Sequence, residues 1–390
     1  MLVVSLLGLL VLAAYALSVL ARVNSSLATV KSAQTQARQN ALLGLHVALG
    51  ELQRHAGADE RITGMAGIAG VPAGGVQTAR HWAGVWSPDG THLAWLASGG
   101  EAGVVPAVAA ADSLPIVATN SLGASVTDRE HVRIVRQTVP NPPGGLPGSA
   151  GHYAYWAGDE GVKLSLALAD GATLVPGGKH AIETHFPGVS PTAPAVLDLR
   201  LYEQVALAGA TTAQRQGGFH SHTLRHESAA DAGLISGRLN VNSTSVRYWR
   251  GVADTYNALR PAGSPVVNAD AFAQEMAVRA PAADPIYGKP AGGPFLTVES
   301  FLQGQALIAA LAAGGGSLLD FITVMEPWLT VRSDTFRIRA YGDAVNAVDP
   351  ARVEAVAYAE AIVQRMPEGL PGFGRRFVIR HFRWLGPDDI

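Results

Sequence analysis

Residues 1–56 read MLVVSLLGLLVLAAYALSVLA (1–21) and then RVNSSLATVKSAQTQARQNALLGLHVALGELQRHA (22–56). No charged side chain occurs before Arg22. As a helix rising 1.5 Å per residue, the first run reaches roughly 30 Å, the thickness of a bilayer core. Nothing basic precedes it, and it is long for the apolar region of a cleaved signal peptide. From Arg22 to His55 there is no proline, and apolar residues recur at Val23, Leu27, Val30, Ala37, Ala41, Leu45, Ala48 and Leu52. Apart from an interruption at Gln34, these steps of three and four lie on one helical face. Lys31, Gln36, Arg38, Gln39, Glu51 and Arg54 fall on the other, and Gly57 supplies a stop. The pattern predicts one helix of about 55 residues, apolar all round in its first half and on one side in its second.

A simple membrane tether needs no amphipathic continuation, whereas a filament stem does. The first half would pack among neighbouring stems, through Leu2, Ser5, Leu6, Gly8, Leu9, Leu10, Ala13 and Leu17. Small residues there permit close helix approach. The second half would lie on the chain's own head, through Val23, Leu27, Val30, Ala37, Ala41, Leu45 and Leu52.

The whole chain has 390 residues, 48% of them hydrophobic, which is enough for a sizeable core. Charged residues are scarce at 15%, while 44 glycines and 23 prolines suit a loop-rich β or α+β protein better than a helical bundle. A net charge of −2 offers no basic surface for nucleic acid. With no cysteine there is no disulfide, thiol nucleophile or thiolate metal site.

Beyond the stem, His81–Trp86 and Thr91–Leu96 flank Pro88-Asp89-Gly90 and predict a hairpin. Its tryptophans, Trp82, Trp86 and Trp95, are expected in the core; a glycan-binding platform on a membrane-tethered module is the rival reading. Residues 99–127 read as loop and 131–139 as one strand. A second hairpin is expected around Asp159-Glu160-Gly161, with both carboxylates in water. Residues 195–327 turn helical, with caps at Ser243 or Thr244, at Asn268 and at Thr297. Strands at 335–341, 352–364 and 376–384 predict an antiparallel meander, its apolar face covered by the stem and its charged face open. The expected units are therefore the stem (1–56), a first β-rich part of the head (57–194), an inserted helical domain (195–327) and closing antiparallel strands (328–390).

This order resembles the type IV pilin and pseudopilin superfamily, and most of all the K-type minor pseudopilin (GspK). Leu239-Asn240-Val241-Asn242-Ser243-Thr244 is similar to the Asn-x-Asn-Thr signature that opens the family's helical insertion. Trp328-Leu329-Thr330-Val331-Arg332-Ser333-Asp334-Thr335-Phe336 resembles its entry into the last sheet. PilX-like proteins share the stem without the insertion. The resemblance implies a pilin-like α+β fold, a long helix packed on an antiparallel sheet. It also implies a structural subunit of an extracellular, type IV pilus-like filament, or a minor pseudopilin of a type II secretion pseudopilus in the periplasm. The implied partners are copies of the chain, other pilin-like subunits, the assembly machinery and, before assembly, the inner membrane. Counted from Met1, Ser5 stands where most major pilins carry glutamate, so assembly should not depend on an amine–carboxylate pair. The family also implies calcium in the insertion, with no ligand residue assignable from this sequence.

Catalytic patterns are missing from the sequence. There is no Gly-x-Ser-x-Gly elbow, Walker A loop or dinucleotide fingerprint. Gly314-Gly315-Gly316 follows a helix and reads as its terminator. His220, His222, His226 and Glu227 are of metal-binding types, but without HExxH spacing they read as a solvated loop. Neither an enzyme nor a bound cofactor is expected.

Overall fold

The computed structural model describes residues 2–70, 79–104, 113–124, 130–140, 149–165, 202–223, 239–346 and 348–390, with 2–6 as backbone alone. In chain order the elements are α1 (Leu2–Ala56), β1 (Ile62–Met65), β2 (Ala83–Trp86), β3 (His92–Trp95), β4 (Ser113–Val117), α2 (Thr119–Leu122), β5 (Val132–Val135), β6 (Gln137–Pro140), β7 (Ser149–Asp159) and β8 (Leu164–Ser165). There follow α3 (Thr212–Gly218), β9 (His222–Thr223), β10 (Leu239–Asn240), α4 (Val246–Leu259), α5 (Ala269–Arg279), α6 (Val298–Leu302), α7 (Gln305–Gly314) and α8 (Leu318–Met325). The chain closes with β11 (Leu329–Thr330), β12 (Thr335–Val345), β13 (Val353–Leu370) and β14 (Gly374–Leu385).

Helix α1 runs unbroken for 55 residues, about 80 Å at 1.5 Å per residue. Its second half lies on a five-stranded antiparallel sheet of order β14-β13-β12-β7-β6. Leu45, Ala48, Leu52 and Ala56 pack on Tyr155 and Ala157 of β7, Phe336, Ile338 and Ala340 of β12, and Ala361 and Val363 of β13. Small residues set how closely the helix approaches. A Cβ on Gly342 would lie 2.1 Å from the Ala41 amide nitrogen, and one on Gly44 would lie 2.9 Å from the Ala154 carbonyl oxygen. The Asn40 side-chain amide donates to the carbonyls of Asp343 (2.6 Å) and Ala150 (3.0 Å), so the polar break in this apolar face is satisfied.

The final three strands form the expected meander, with Ile338 opposite Ala361 and Ala361 opposite Phe382. The far face of this sheet is not open to water, as the alternating charges suggested. Arg337, Arg339 and Glu360 are all buried there. Phe219, just past α3, lies beneath the charges of Arg339 and Arg337 at 4.8 and 5.3 Å. Arg339 Nη1 also donates to the Ile116 carbonyl (3.1 Å) and to Ser121 Oγ (2.8 Å), which brings in β4 and α2. Those two elements lie in the stretch expected to be loop.

The hairpin of β2 and β3 forms around Gly90, whose φ is +86°, and Trp82, Trp86 and Trp95 are buried in the core beneath it. Among the described residues, the second expected hairpin does not form. After β7 the chain turns inward, and β8 pairs in parallel with β9. Glu160 and Lys163 explain the departure: both are buried, 2.6 Å apart, and the Glu160 carboxylate also meets Arg337. A carboxylate with two cationic partners is held inside rather than in a solvated turn. Residues 131–139 form two strands rather than one, since β5 pairs with β4 and β6 with β7.

The helical unit has its own core of Tyr248, Trp249, Phe272, Phe301, Leu307 and Phe321. Its two ends lie side by side, because β10 and β11 pair in parallel, Leu239 with Leu329 and Asn240 with Thr330. Ser245, rather than Ser243 or Thr244, caps α4, while Asn268 and Thr297 cap α5 and α6. The apolar run after Thr297 is divided into α6 and α7 at Gly304. Tyr202 and Val205, from a 3₁₀ turn at Tyr202–Ala208, also enter this core.

Candidate assembly surface

Every side chain from Leu7 to Ser32 is exposed. The most apolar part of this stretch is not buried by the head at all. By length and composition, α1 can cross a membrane. Leu9, Leu10, Ala13 and Leu17 stand on this free segment, as does Gly8, which has no atom within 4 Å of where its Cβ would be. The backbone of Leu2, Ser5 and Leu6 continues the helix, but their side chains lie outside the described residues. An apolar surface of this extent in water would be strongly unfavourable, so it needs lipid or protein around it.

Packing on the head begins at Ala33 and becomes complete burial at Ala37, Ala41, Leu45 and Leu52. Val23, Leu27 and Val30 do not belong to that contact. They are 49%, 52% and 64% exposed, against the expectation from periodicity. The reason is geometric. The first head groups alongside the stem are Ala355 and Val356 of β13, the latter accepting a bond from Gln34. Residues N-terminal to Ala33 extend past the edge of the sheet. Their apolar face is therefore free for a partner.

At its other end the stem is tied to the sheet through polar groups. Gln53 Nε2 donates to the carbonyls of Phe373 (2.9 Å) and Arg375 (2.7 Å). Just past the helix, Asp59 meets Arg365 (2.7 Å), Arg375 (2.9 Å) and Arg332 (3.5 Å). The Arg375 hydrogen bond, with Arg365 beside it, holds the Asp59 carboxyl well below the usual carboxylate range. Arg332-Ser333-Asp334 stands at this junction. Ser333 accepts from Asn240 Nδ2 at 2.9 Å and donates its amide to Thr63, and Asp334 pairs with Arg365. The two sequence stretches around Asn240 and Ser333 thus meet where helical unit, stem end and sheet join. This gives the stem a rigid mount on the head.

Strand β14 adds a surface that periodicity did not reveal. Ile379, Phe382 and Trp384 lie on the sheet face that carries α1, and each stays more than a third exposed. Arg38 of α1 covers Trp384 at 5.4 Å. The apolar alternation of RFVIRHFRW was the available signal, but it could not show that the stem leaves this edge strand partly uncovered.

Of the histidine-rich segment, His222 is buried in β9 and His220 is partly buried, not solvated, while His226 and Glu227 lie outside the described residues. Among the described residues, the one cluster of three metal-ligating types is His81, Glu130 and His220. Two of its donors are nitrogens, unlike the all-oxygen set that calcium takes.

No protein-family model matches the chain, and no curated protein matches it. Among solved structures it is similar to a chain of the GspK-GspI-GspJ complex of the enterotoxigenic Escherichia coli type 2 secretion system, at 13% identity and a TM-score of 0.36. That similarity covers 64% of this chain and 83% of the other. A TM-score this low establishes no correspondence between residues.

Proposed function

We propose that this chain is a structural subunit that waits in a membrane through the first half of α1 and then polymerises through it. The supporting observation is a single continuous helix with two different surroundings. Residues 7–32 are wholly exposed and largely apolar, while residues from Ala33 onward seat the same helix rigidly on a sheet. A tether that only anchored a head would gain nothing from rigid continuity. A subunit that must present its stem at a fixed angle to its neighbours requires it.

In lipid the stem's leucines are already solvated by apolar chains, so burial among other stems contributes little by itself. Close packing at Gly8, Ala13, Ala14 and Ala16, together with contacts between heads, would supply the association. Val23, Leu27 and Val30 extend the contact beyond the apolar run. In this reading the chain acts mechanically, as a type IV pilus-like filament subunit. The alternative within the class is a GspK-like minor pseudopilin, favoured by the helical unit whose ends pair beside the last sheet. The buried Trp82, Trp86 and Trp95 count against a tethered glycan-binding module.

The absence of cysteine allows a clean test. Single cysteines placed in turn at positions 7–21 should give oxidised dimers in assembled material, with a helical periodicity. Cysteines on the exposed surface of α5 should give none. Equal crosslinking from both regions, or none from the stem, would overturn the proposal.

A further inference from the structure

Three segments distant in sequence meet beside the far face of the sheet. His81 precedes β2, Glu130 precedes β5, and His220 follows α3. One ligating atom from each lies within 4.8 Å of the others. His81 Nε2 is 2.8 Å from Glu130 Oε2, and His220 Nε2 is 2.8 Å from the Glu130 carbonyl oxygen. The two imidazoles are stacked face to face, 3.6 Å between centroids and 1° from parallel.

The electrostatics favour neutral imidazoles. Burial lowers the His81 pKa, although the Glu130 hydrogen bond opposes it. Burial and the charge of His81 lower that of His220 further. Burial alone would raise the Glu130 carboxyl, but His81 and Arg80 outweigh it and bring it to about 2. Two imidazoles and one carboxylate are the donor set of divalent transition metals. Arg80 Nη1 holds Glu130 Oε1 at 2.9 Å, which orients the carboxylate and leaves Oε2 turned to His81.

A cleft of about 370 Å³ opens onto the cluster, lined also by Leu122, Gln216 and Arg247. Arg80 and Arg247 would disfavour a bare cation, but they suit a cation that carries an anionic ligand on its open side. From this geometry we infer that His81, Glu130 and His220 bind one divalent transition metal ion of the zinc class, with a coordination position open to the cleft. Each imidazole then carries its proton on Nδ1 and ligates through Nε2, and the rings turn out of their parallel stack. The ion would fasten the segment after α3 to the strands β2 and β5.

Full-length protein in detergent, stripped with EDTA, is titrated with zinc chloride by calorimetry and with cobalt(II) by visible absorption. The expected result is one equivalent bound, intense cobalt bands, and a rise in Tm with zinc. Glu130→Gln and His220→Gln should each weaken binding by roughly tenfold or more, since even loss of a ligand's hydrogen-bond partner costs about that much. Their Tm in EDTA reports whether the fold is intact. If His220→Gln does not fold, Glu130→Gln still decides, because it should shrink the rise in Tm at a given zinc concentration. His222→Gln and His226→Gln should bind like the parent. No saturable binding, binding as tight as the parent's in Glu130→Gln and His220→Gln, or binding lost instead in His222→Gln or His226→Gln would overturn the site. Stabilisation by inorganic phosphate without any by zinc would also overturn it, and would mark the cleft as an anion site.

Discussion

Glu360 shows how this head keeps charge inside. Its carboxylate is buried against Arg339 (2.8 Å), Arg383 (2.8 Å) and Arg337 (3.1 Å). Burial alone would raise its pKa, but Arg337, Arg339 and Arg383 outweigh this and hold it below the ordinary value of 4.5. A folded-state value below the unfolded one stabilises the fold fully above the unfolded pKa, and the contribution fades as pH falls through the folded one. Asp59 acts in the same direction through Arg375 and Arg365. Resistance to urea should therefore fall as pH drops below about 4.5, and Glu360→Gln should flatten that dependence. Glu360→Ala should cost about 3–5 kcal/mol at neutral pH, because it leaves buried arginines without their partner; urea titration measures it. The alternation of Phe336-Arg337-Ile338-Arg339-Ala340 was legible as a strand. That its charged side is buried was not, because Phe219, Glu160 and Ser121 reach it from far along the chain. Asp159 and Glu160 were misplaced in water for the same reason, since a local turn pattern carries no information about distant cations.

At the scale of elements, the contact between α1 and β12 sets the stem's seat. Gly342 has Ala41 and Ala37 directly above it, so a larger side chain must push the helix away. Gly342→Val should destabilise the head by about 1–3 kcal/mol or more by overpacking, read as a lower denaturation midpoint. Gly8→Leu is the counterpart on the free segment. It meets no atom of the head, so the head's midpoint should not move, while assembly should be lost because stems can no longer approach closely. The length of α1 could be read from its uninterrupted, proline-free pattern. Where the head begins to cover it could not. The apolar face resumes after Gln34 with the same steps of three and four, and the edge of β13 decides which residues are covered. The strands of the meander were legible because they alternate and lie close together in sequence. The pairings of β8 with β9 and of β10 with β11 were not, since two-residue parallel ladders leave no periodicity to read.

At the scale of the whole molecule, stem and head are separable in energy though continuous in backbone. Nothing from Leu7 to Ser32 is buried against the head, so deleting residues 1–22 should leave a folded head with an unchanged Tm. It should also remove membrane partitioning, as checked by fractionation and circular dichroism. The same separation makes the central claim testable with one substitution. Leu10→Glu puts a charge in the middle of the free apolar segment and touches nothing in the head. The decisive measurement is negative-stain imaging of surface filaments from cells making either the parent chain or Leu10→Glu at equal levels, with thermal melts of both purified proteins. The account predicts filaments from the parent, none from Leu10→Glu, and superimposable melts of the head. Intact filaments bearing Leu10→Glu would contradict it, because a polymer held together by this stem cannot accommodate a carboxylate at its core.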